Sequence, residues 1–427
     1  MPQAGAPYAW RNVSATVVYF GWCVLLTIIL DNASGKKFPL SASCAVRLVW
    51  HTSAVMSNQP DIIVLFSGGL DSILAAKVLE RQGLSVRCIH FITPFFGSAK
   101  AVPYWRKVYG LDIVSQDVGE EFAQMLRQRP EHGFGKVMNP CVDCKILLLR
   151  KARLYMESVG AMGLATGEVL GQRPMSQRRD TLHLIMRDAG VSGILLRPLC
   201  ATHLPVTQME ESGLVDRSRL LSFSGRGRRD QLDLAAELGV TDIPTPGGGC
   251  RLTEKENARR YWTVLTLLPQ AGDRDFTLAN LGRQFWHHDG DNHYWLCIGR
   301  NSADNDKLAA AMQPDDMLLR LRDLAGPMAL ARSGADWPRH VLESAAAHAA
   351  SYAPKAVAAG GPVAVRARQG QAEGDAAFEM DVVAQRQGEA WGEALWDDVK
   401  AVIRAEAKDR LAATLHGKHK PGPDDAE

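Results

Sequence analysis

The chain has 427 residues, a hydrophobic fraction of 46% and a formal net charge of +2. These values fit two or three ordinary globular domains, and they exclude a protein that holds polyanions by overall charge, so any nucleic-acid contact must be local. Eight cysteines in this length are too sparse for a disulfide scaffold, which makes a reducing cytoplasmic location the natural expectation.

In chain order, the first feature is Val13 to Leu30, VSATVVYFGWCVLLTIIL. It is nearly all apolar and matches the length of a signal-peptide core or a short membrane span. Its flanks suit neither, and Met56 stands just before SNQPDIIVLFSGG. The expectation is therefore that translation starts at Met56, that residues 1–55 are an extension and that no membrane is involved. The alternatives are a hydrophobic anchor and a buried helix. Ile62 to Phe66 is a short unbroken apolar run and reads as a buried strand. From Asp71 apolar residues recur at helical spacing. Strands follow at Leu84–Ile92, Leu111–Val114 and Ala161–Ala165, and helices at Ala99–Tyr109, Glu120–Arg127 and Cys141–Val159. This alternation predicts an α/β fold, a parallel sheet with helices on both faces. Ligands then bind at the carboxyl ends of the strands, where both FSGG and Thr166-Gly167-Glu168 fall. A helix is expected over Arg229–Leu238, two strands at Leu281–Phe285 and Tyr294–Arg300, and a helix at Asn305–Met312. Ala- and Gly-rich sequence runs from Ala345 to Gly374, a strand over Phe378–Val383 and a helix over Ala394–Leu415. The tail GKHKPGPDDAE is expected to be disordered.

The stretch FSGGLDS carries the first chemistry. A strand, a Gly-rich turn and a helix start aim free backbone N–H groups at an anion. Gly68 and Gly69 permit close approach, and Ser67 and Ser72 add hydroxyls. The string has neither G-K-[ST] nor G-x-G-x-x-G, so it is neither a Walker loop nor a dinucleotide fingerprint. NPCVDCK places Cys141 and Cys144 at a helix start, where a thiol pKa is lowered. PTPGGGCRLT places Cys250 on a glycine loop. These residues suit a reactive thiol set or part of a structural zinc site with Cys200 or a histidine. Cys88, Cys200 and Cys297 read as buried small hydrophobes. Arg173, Arg178 and Arg179 in GEVLGQRPMSQRRD, with Arg226 and Arg228 in RSRLLSFSGRGRRD, suit phosphate or RNA-backbone contact.

S-G-G-x-D-S resembles the PP-loop of the ATP pyrophosphatases. NPCVDCK, ATGEVLGQRPMSQ, LLRPL and PTPGGGCRLT follow it in order, and together they look like the tRNA thiouridylase branch, which includes the 2-thiouridine and 4-thiouridine synthases. The resemblance runs from about Asp61 to about Arg259 and implies a fold like the adenine-nucleotide alpha-hydrolases (HUP), with residues 56–270 as the ATP-binding domain. It implies ATP on Ser67, Gly68, Gly69, Asp71, Ser72 and Gly167, with Asp71 near Mg²⁺. It further implies adenylation of a uridine carbonyl oxygen in tRNA, then replacement of that oxygen by sulfur. Cys144 and Cys250 match the usual working pair, one carrying a persulfide and the other forming a disulfide. The additional Cys141 resembles the branch in which three cysteines hold a [4Fe–4S] cluster, and this is the expected metal set here: Cys141, Cys144 and Cys250. A cysteine desulfurase, a sulfur carrier or free sulfide would supply the sulfur.

LGRQFW…YWLCIGRNSADNDKL resembles a small domain related to the RNA-binding segment of the NFACT proteins. It implies a smaller α+β domain over 271–350, followed by an Ala/Gly-rich region over 351–427. The RNA-binding domain usual before the loop in 4-thiouridine synthases and the barrels usual after it in 2-thiouridylases are not apparent, which leaves the target nucleotide open. Two other functions compete: an adenylating ligase such as an amidating enzyme, and a non-catalytic RNA- or metal-binding protein. The first lacks a visible ammonia source, and the second does not account for an intact S-G-G-x-D-S.

Overall fold

The computed structural model describes residues 12–20, 23–31, 37–39, 59–245, 249–370 and 377–417. Met56, the segment 246–248 and the tail from 418 lie outside them. Two compact units are present, Met1–Ser57 and Asn58–Glu427. The first holds an antiparallel sheet of β1 (Asn12–Phe20), β2 (Cys23–Asp31) and β3 (Lys37–Pro39). The apolar run thus forms two strands paired from Asn12↔Asp31 to Phe20↔Cys23, not one helical span. Its Val, Ile and Thr content favours pleated over helical backbone. Among the described residues no helix is long and apolar enough to cross a membrane.

The second unit opens with β4 (Ile62–Leu65), α1 (Leu70–Glu80), β5 (Val86–Ile92), α2 (Val102–Tyr109), β6 (Asp112–Asp117) and α3 (Gly119–Gln128). It continues with α4 (Cys141–Val159), β7 (Gly163–Thr166), α5 (Arg179–Ala189) and β8 (Leu195–Leu196). The five strands form a parallel sheet in the order β6-β5-β4-β7-β8. Alternation along β4 sends Ile62 and Val64 into the core shared with α1 and Ile63 into the core shared with α4 and α5. Both faces are therefore covered, which is why β4 reads as a continuous apolar run. The order reverses between β4 and β7, and a crevice at the carboxyl ends of these two strands is the expected ligand position.

A second sheet is antiparallel: β9 (Arg283–Asp289), β10 (Asn292–Ile298), β11 (Met317–Leu321), β12 (Ala329–Ala331), β13 (Pro362–Gln369) and β14 (Ala377–Val383). Its order is β14-β13-β11-β12-β10-β9. The expected division at 350/351 falls inside this sheet, because β13 pairs with β11 through Leu319↔Ala367 and its neighbours. The Ala-rich stretch is partly helix, Arg339–Ala350, whose alanines pack on one face of the sheet; alanine is the best helix former. On the other face Trp295, Cys297, Leu318 and Leu330 join one core with Phe122 of α3, Tyr261 and Trp262 of the helix Lys255–Leu267, and Phe276. That aromatic core joins the two sheets. Trp295 is 2% exposed, stacks on Trp286 at 5.0 Å and donates Nε1–H to Gln284 Oε1 at 2.6 Å. Trp295→Ala should lower the unfolding free energy in urea by about 3–5 kcal/mol; a loss below about 1 kcal/mol would show that this core does not join the sheets.

Candidate active site

The glycine loop leaves β4 and enters α1. Gly68 has φ of 80°, and a Cβ there would lie 2.5 Å from the Trp105 ring, so both conformation and space require glycine. The loop is closed by its own hydroxyls. Ser72 Oγ donates to the Gly69 carbonyl at 2.7 Å and accepts the Ser67 N–H at 3.3 Å. One residue earlier, the Phe66 carbonyl meets His90 Nδ1 at 2.9 Å, while His90 Nε2 accepts the Ser98 N–H at 3.0 Å. The ring is thus neutral with its proton on Nδ1, in keeping with burial that pushes its pKa down. His90 also packs edge-on to Trp105 at 4.8 Å. His90 and Trp105, neither of them marked by a sequence motif, anchor the loop from below.

Gly167, at the end of β7, touches the first turn of α1. A Cβ on it would lie 2.3 Å from the Asp71 carbonyl oxygen. This contact brings the next loop against the start of α1. Gln172 donates Nε2–H to Asp71 Oδ2 at 3.1 Å, and Asp71 Oδ1 is buried with no partner. Burial raises the Asp71 pKa, opposed by the Gln172 hydrogen bond and the charges of Arg228 and Arg173. Those two arginines come from different loops, joined where Gly225 N–H donates to the Leu170 carbonyl at 2.8 Å and Leu170 bridges Ser224. The structure therefore brings Arg173 and Arg228 to the loop. Arg226 is exposed nearby in sequence. The two other expected arginines are engaged: Arg178 pairs with Asp180 at 3.0 Å, and Arg179 donates to the His203 carbonyl at 2.9 Å.

The thiols lie on the opposite wall. Cys141 and Cys144 open α4, and Asn139 Nδ2–H donates to Cys141 Sγ at 3.1 Å. Cys141, Cys144 and Cys250 lie near enough to repel one another as thiolates. The lowered thiol pKa expected at the helix start is not found at Cys144. Burial pushes it well up, and the neighbouring Cys250 adds to this; desolvation outweighs the helix dipole. Burial likewise raises Cys250 to about 11. Among the described residues no three His, Cys, Asp or Glu side chains are disposed to hold a metal ion. Cys88, Cys200 and Cys297 are buried, as expected.

Glu168 connects the two walls. It is 3% exposed and holds Arg197 Nε at 3.0 Å, Lys145 Nζ at 3.5 Å and the Thr166 hydroxyl at 3.1 Å. Burial pushes its pKa up, yet Lys145 and Arg197 overcome this and hold the carboxyl at about 2. The strings NPCVDCK and LLRPL contained Lys145 and Arg197, but only the fold reveals their shared partner. Cys144-Lys145···Glu168-Gly167···Asp71 is thus a continuous path from thiol to loop.

Two outcomes follow from Glu168. Its folded pKa lies below the ordinary 4.5, so its stabilisation is complete above that value and is lost as pH falls toward about 2. In urea titrations at several pH values, Glu168→Gln should flatten this acid limb; an unchanged slope would refute the assignment. At neutral pH the same variant should lose about 3–5 kcal/mol, because the buried Arg197 is left without its counter-charge.

Residues 57–203 match the family described as "Thiamine biosynthesis protein (ThiI)". A "Probable tRNA sulfurtransferase" of Thermococcus kodakarensis is 26% identical over 152 residues, covering 34% of this chain and 38% of that protein. A "tRNA sulfurtransferase" of Pseudomonas syringae pv. syringae is 27% identical over 219 residues, 46% of this chain and 37% of that protein. A "tRNA-specific 2-thiouridylase MnmA" of Desulfosudis oleivorans is 32% identical over 123 residues, 26% of this chain and 32% of that protein. The chain thus spans less than two fifths of the length of these curated relatives. Residues 57–203 are thus similar to the ThiI family over the stretch that holds the glycine loop, NPCVDCK and LLRPL.

Proposed function

We propose that the protein is an ATP-dependent tRNA uridine thiolase. The observation that carries this reading is the junction itself: a glycine loop with an orphaned, buried Asp71 Oδ1, tied through Glu168 and Lys145 to a thiol group of three cysteines. The names of the matched relatives support it.

In this reading ATP lies with its phosphates on the backbone of Ser67, Gly68 and Gly69 and at the start of α1. Asp71 Oδ1 is the group that would hold Mg²⁺, which when bound neutralises phosphate charge. Arg173 and Arg228 face the leaving pyrophosphate, and Arg226 contacts the RNA backbone. The uridine carbonyl oxygen attacks the α-phosphorus, the bond to the β-phosphate oxygen breaks, and pyrophosphate departs. A persulfide on Cys144 or Cys250 then attacks the activated carbon with its terminal sulfur. The other thiol attacks the inner sulfur, the S–S bond to the transferred atom breaks, and a Cys144–Cys250 disulfide forms as AMP leaves. An external dithiol reductant restores the pair, and a persulfide donor reloads it: the cysteine thiolate attacks the donor's outer sulfur, the donor's S–S bond breaks and the donor's thiolate leaves. Lys145, adjacent to Cys144, favours the thiolate that this step requires.

Asp71→Ala should lower pyrophosphate release from ATP and tRNA by about a hundredfold or more while leaving the unfolding midpoint near that of the parent. Release at the parental rate would remove the loop assignment. Cys144→Ser and Cys250→Ser should each abolish thionucleoside formation, read by mass spectrometry of digested tRNA, yet retain pyrophosphate release. Iron and acid-labile sulfide near four per chain after anaerobic purification would replace the persulfide route by a cluster.

A further inference from the structure

The hairpin of β9 and β10 carries two imidazoles that the thiolation reading does not use. Its turn is Gly290-Asp291, with Gly290 at a φ of 58°, and it sets Asp289 opposite Asn292 and His288 opposite His293. The residues that flank such a two-residue turn exchange both backbone hydrogen bonds. His288 and His293 are therefore the closely spaced kind of pair, whose side chains stand directly opposite each other. The alternation holds along the strands. Trp286 and Trp295 are the same kind of pair, and the Trp286 backbone accordingly exchanges both of its hydrogen bonds with Gly392 instead, each at 2.9 Å. The two histidines are thus the solvent end of the row whose inner members are the stacked tryptophans. His287 belongs to the opposite face, where it stacks on Tyr294 and its Nδ1 donates to the Ala390 carbonyl at 2.9 Å.

The pair is preformed. His288 Nδ1 lies 2.9 Å from His293 Nδ1, the ring planes are 79° apart and both residues are exposed. Neither ring has another hydrogen-bond partner among the described residues. One Nδ1 carries a proton and donates it to the other, a bond that contributes little at a surface. What the hairpin supplies is two imidazole nitrogens held at a fixed short distance, so that once one of them binds an ion the other binds it intramolecularly. The distance selects the ion. An imidazole nitrogen binds a divalent transition metal at about 2.0–2.1 Å, so two of them lie about 2.8–3.0 Å apart at a right angle and about 3.3–3.4 Å apart at the tetrahedral angle. The observed 2.9 Å is the right-angle value. It suits neighbouring positions of a square-planar or octahedral shell, the preference of Cu²⁺ and Ni²⁺ and not of Zn²⁺.

We infer that His288 and His293 form a two-imidazole chelate for Ni²⁺ or Cu²⁺, with water in the remaining positions of the ion. On binding, the Nδ1 proton of the donating ring moves to its own Nε2. Both rings then ligate as neutral imidazoles, no proton is released and no electron changes hands. The ion clips β9 to β10 at the end of the row that leads into Trp286 and Trp295. The assignment does not depend on the thiolation reading.

The test titrates the full chain calorimetrically with Ni²⁺, which unlike Cu²⁺ does not oxidise thiols, and separately with Zn²⁺. The parent is compared with His288→Ala and His293→Ala, and with His340→Ala as the control for a lone surface imidazole. Ni²⁺ binding should weaken about tenfold or more in either hairpin variant and stay at the parental value in His340→Ala. Saturating Ni²⁺ should raise the melting temperature of the parent more than that of the two hairpin variants, because an ion that binds only the folded chain stabilises it. The same melts establish that the variants are folded. Parental Ni²⁺ affinity in both folded hairpin variants would overturn the site. Taken as the difference between the parent and His288→Ala, Zn²⁺ should bind the pair more weakly than Ni²⁺. Stronger histidine-dependent binding of Zn²⁺ would overturn the right-angle assignment.

Discussion

The buried charge of Glu168 is the constraint on which the arrangement of the candidate site depends. A carboxylate taken out of water costs several kcal/mol unless fully paired, and here its partners come from separate parts of the chain. Arg197 follows β8 and Lys145 lies in α4, while Glu168 itself follows β7. Satisfying one acid therefore draws α4 and two strand ends together. Because Gly167 precedes Glu168 and packs on the first turn of α1, the same requirement seats the glycine loop. Thiol and loop are then held at one end of the sheet by electrostatics in a nearly dry setting, not by a flexible connection.

The second sheet supplies the complementary wall. Cys144 and Cys250 pack at the margin of the aromatic core that includes Trp295 and Trp286. The helix Lys255–Leu267 contributes Tyr261 and Trp262 to that core, so the loop that carries Cys250 leads directly into the joint between the sheets. A shift of the antiparallel sheet would thus be felt at the thiols, since packed interiors transmit displacement with little compliance.

Much of this was legible in the residues. The strand–loop–helix of β4 and α1 announced itself through an apolar run, two glycines and helical spacing, and α4 begins and ends where its pattern placed it. Gly167 was marked by its position at a strand end. Other parts were hidden for identifiable reasons. The strands β11 and β12 are short and carry no alternation of their own, and β13 sat within Ala- and Gly-rich sequence whose helical half, Arg339–Ala350, gave no turn signals. The run Val13–Leu30 has the length of a span, and only pairing between its halves distinguishes it. Arg178 and Arg179 looked equivalent to Arg173 in sequence, but Asp180 and the His203 carbonyl take them. The depressed thiol pKa expected from the helix start failed at Cys144 because desolvation is a property of the assembled core, which no local motif displays.

The burial that raises the Cys144 and Cys250 thiols has a protective side. Peroxide and electrophiles attack thiolate far faster than thiol, and the first oxidised product, a sulfenic acid, is a step toward forms no dithiol can rescue. In the proposed thiolation, a pair that stood permanently ionised would be spent by stray oxidants between encounters with substrate. With both thiols raised by burial, the pair is less open to this damage, and a change in its surroundings would be needed to ionise it.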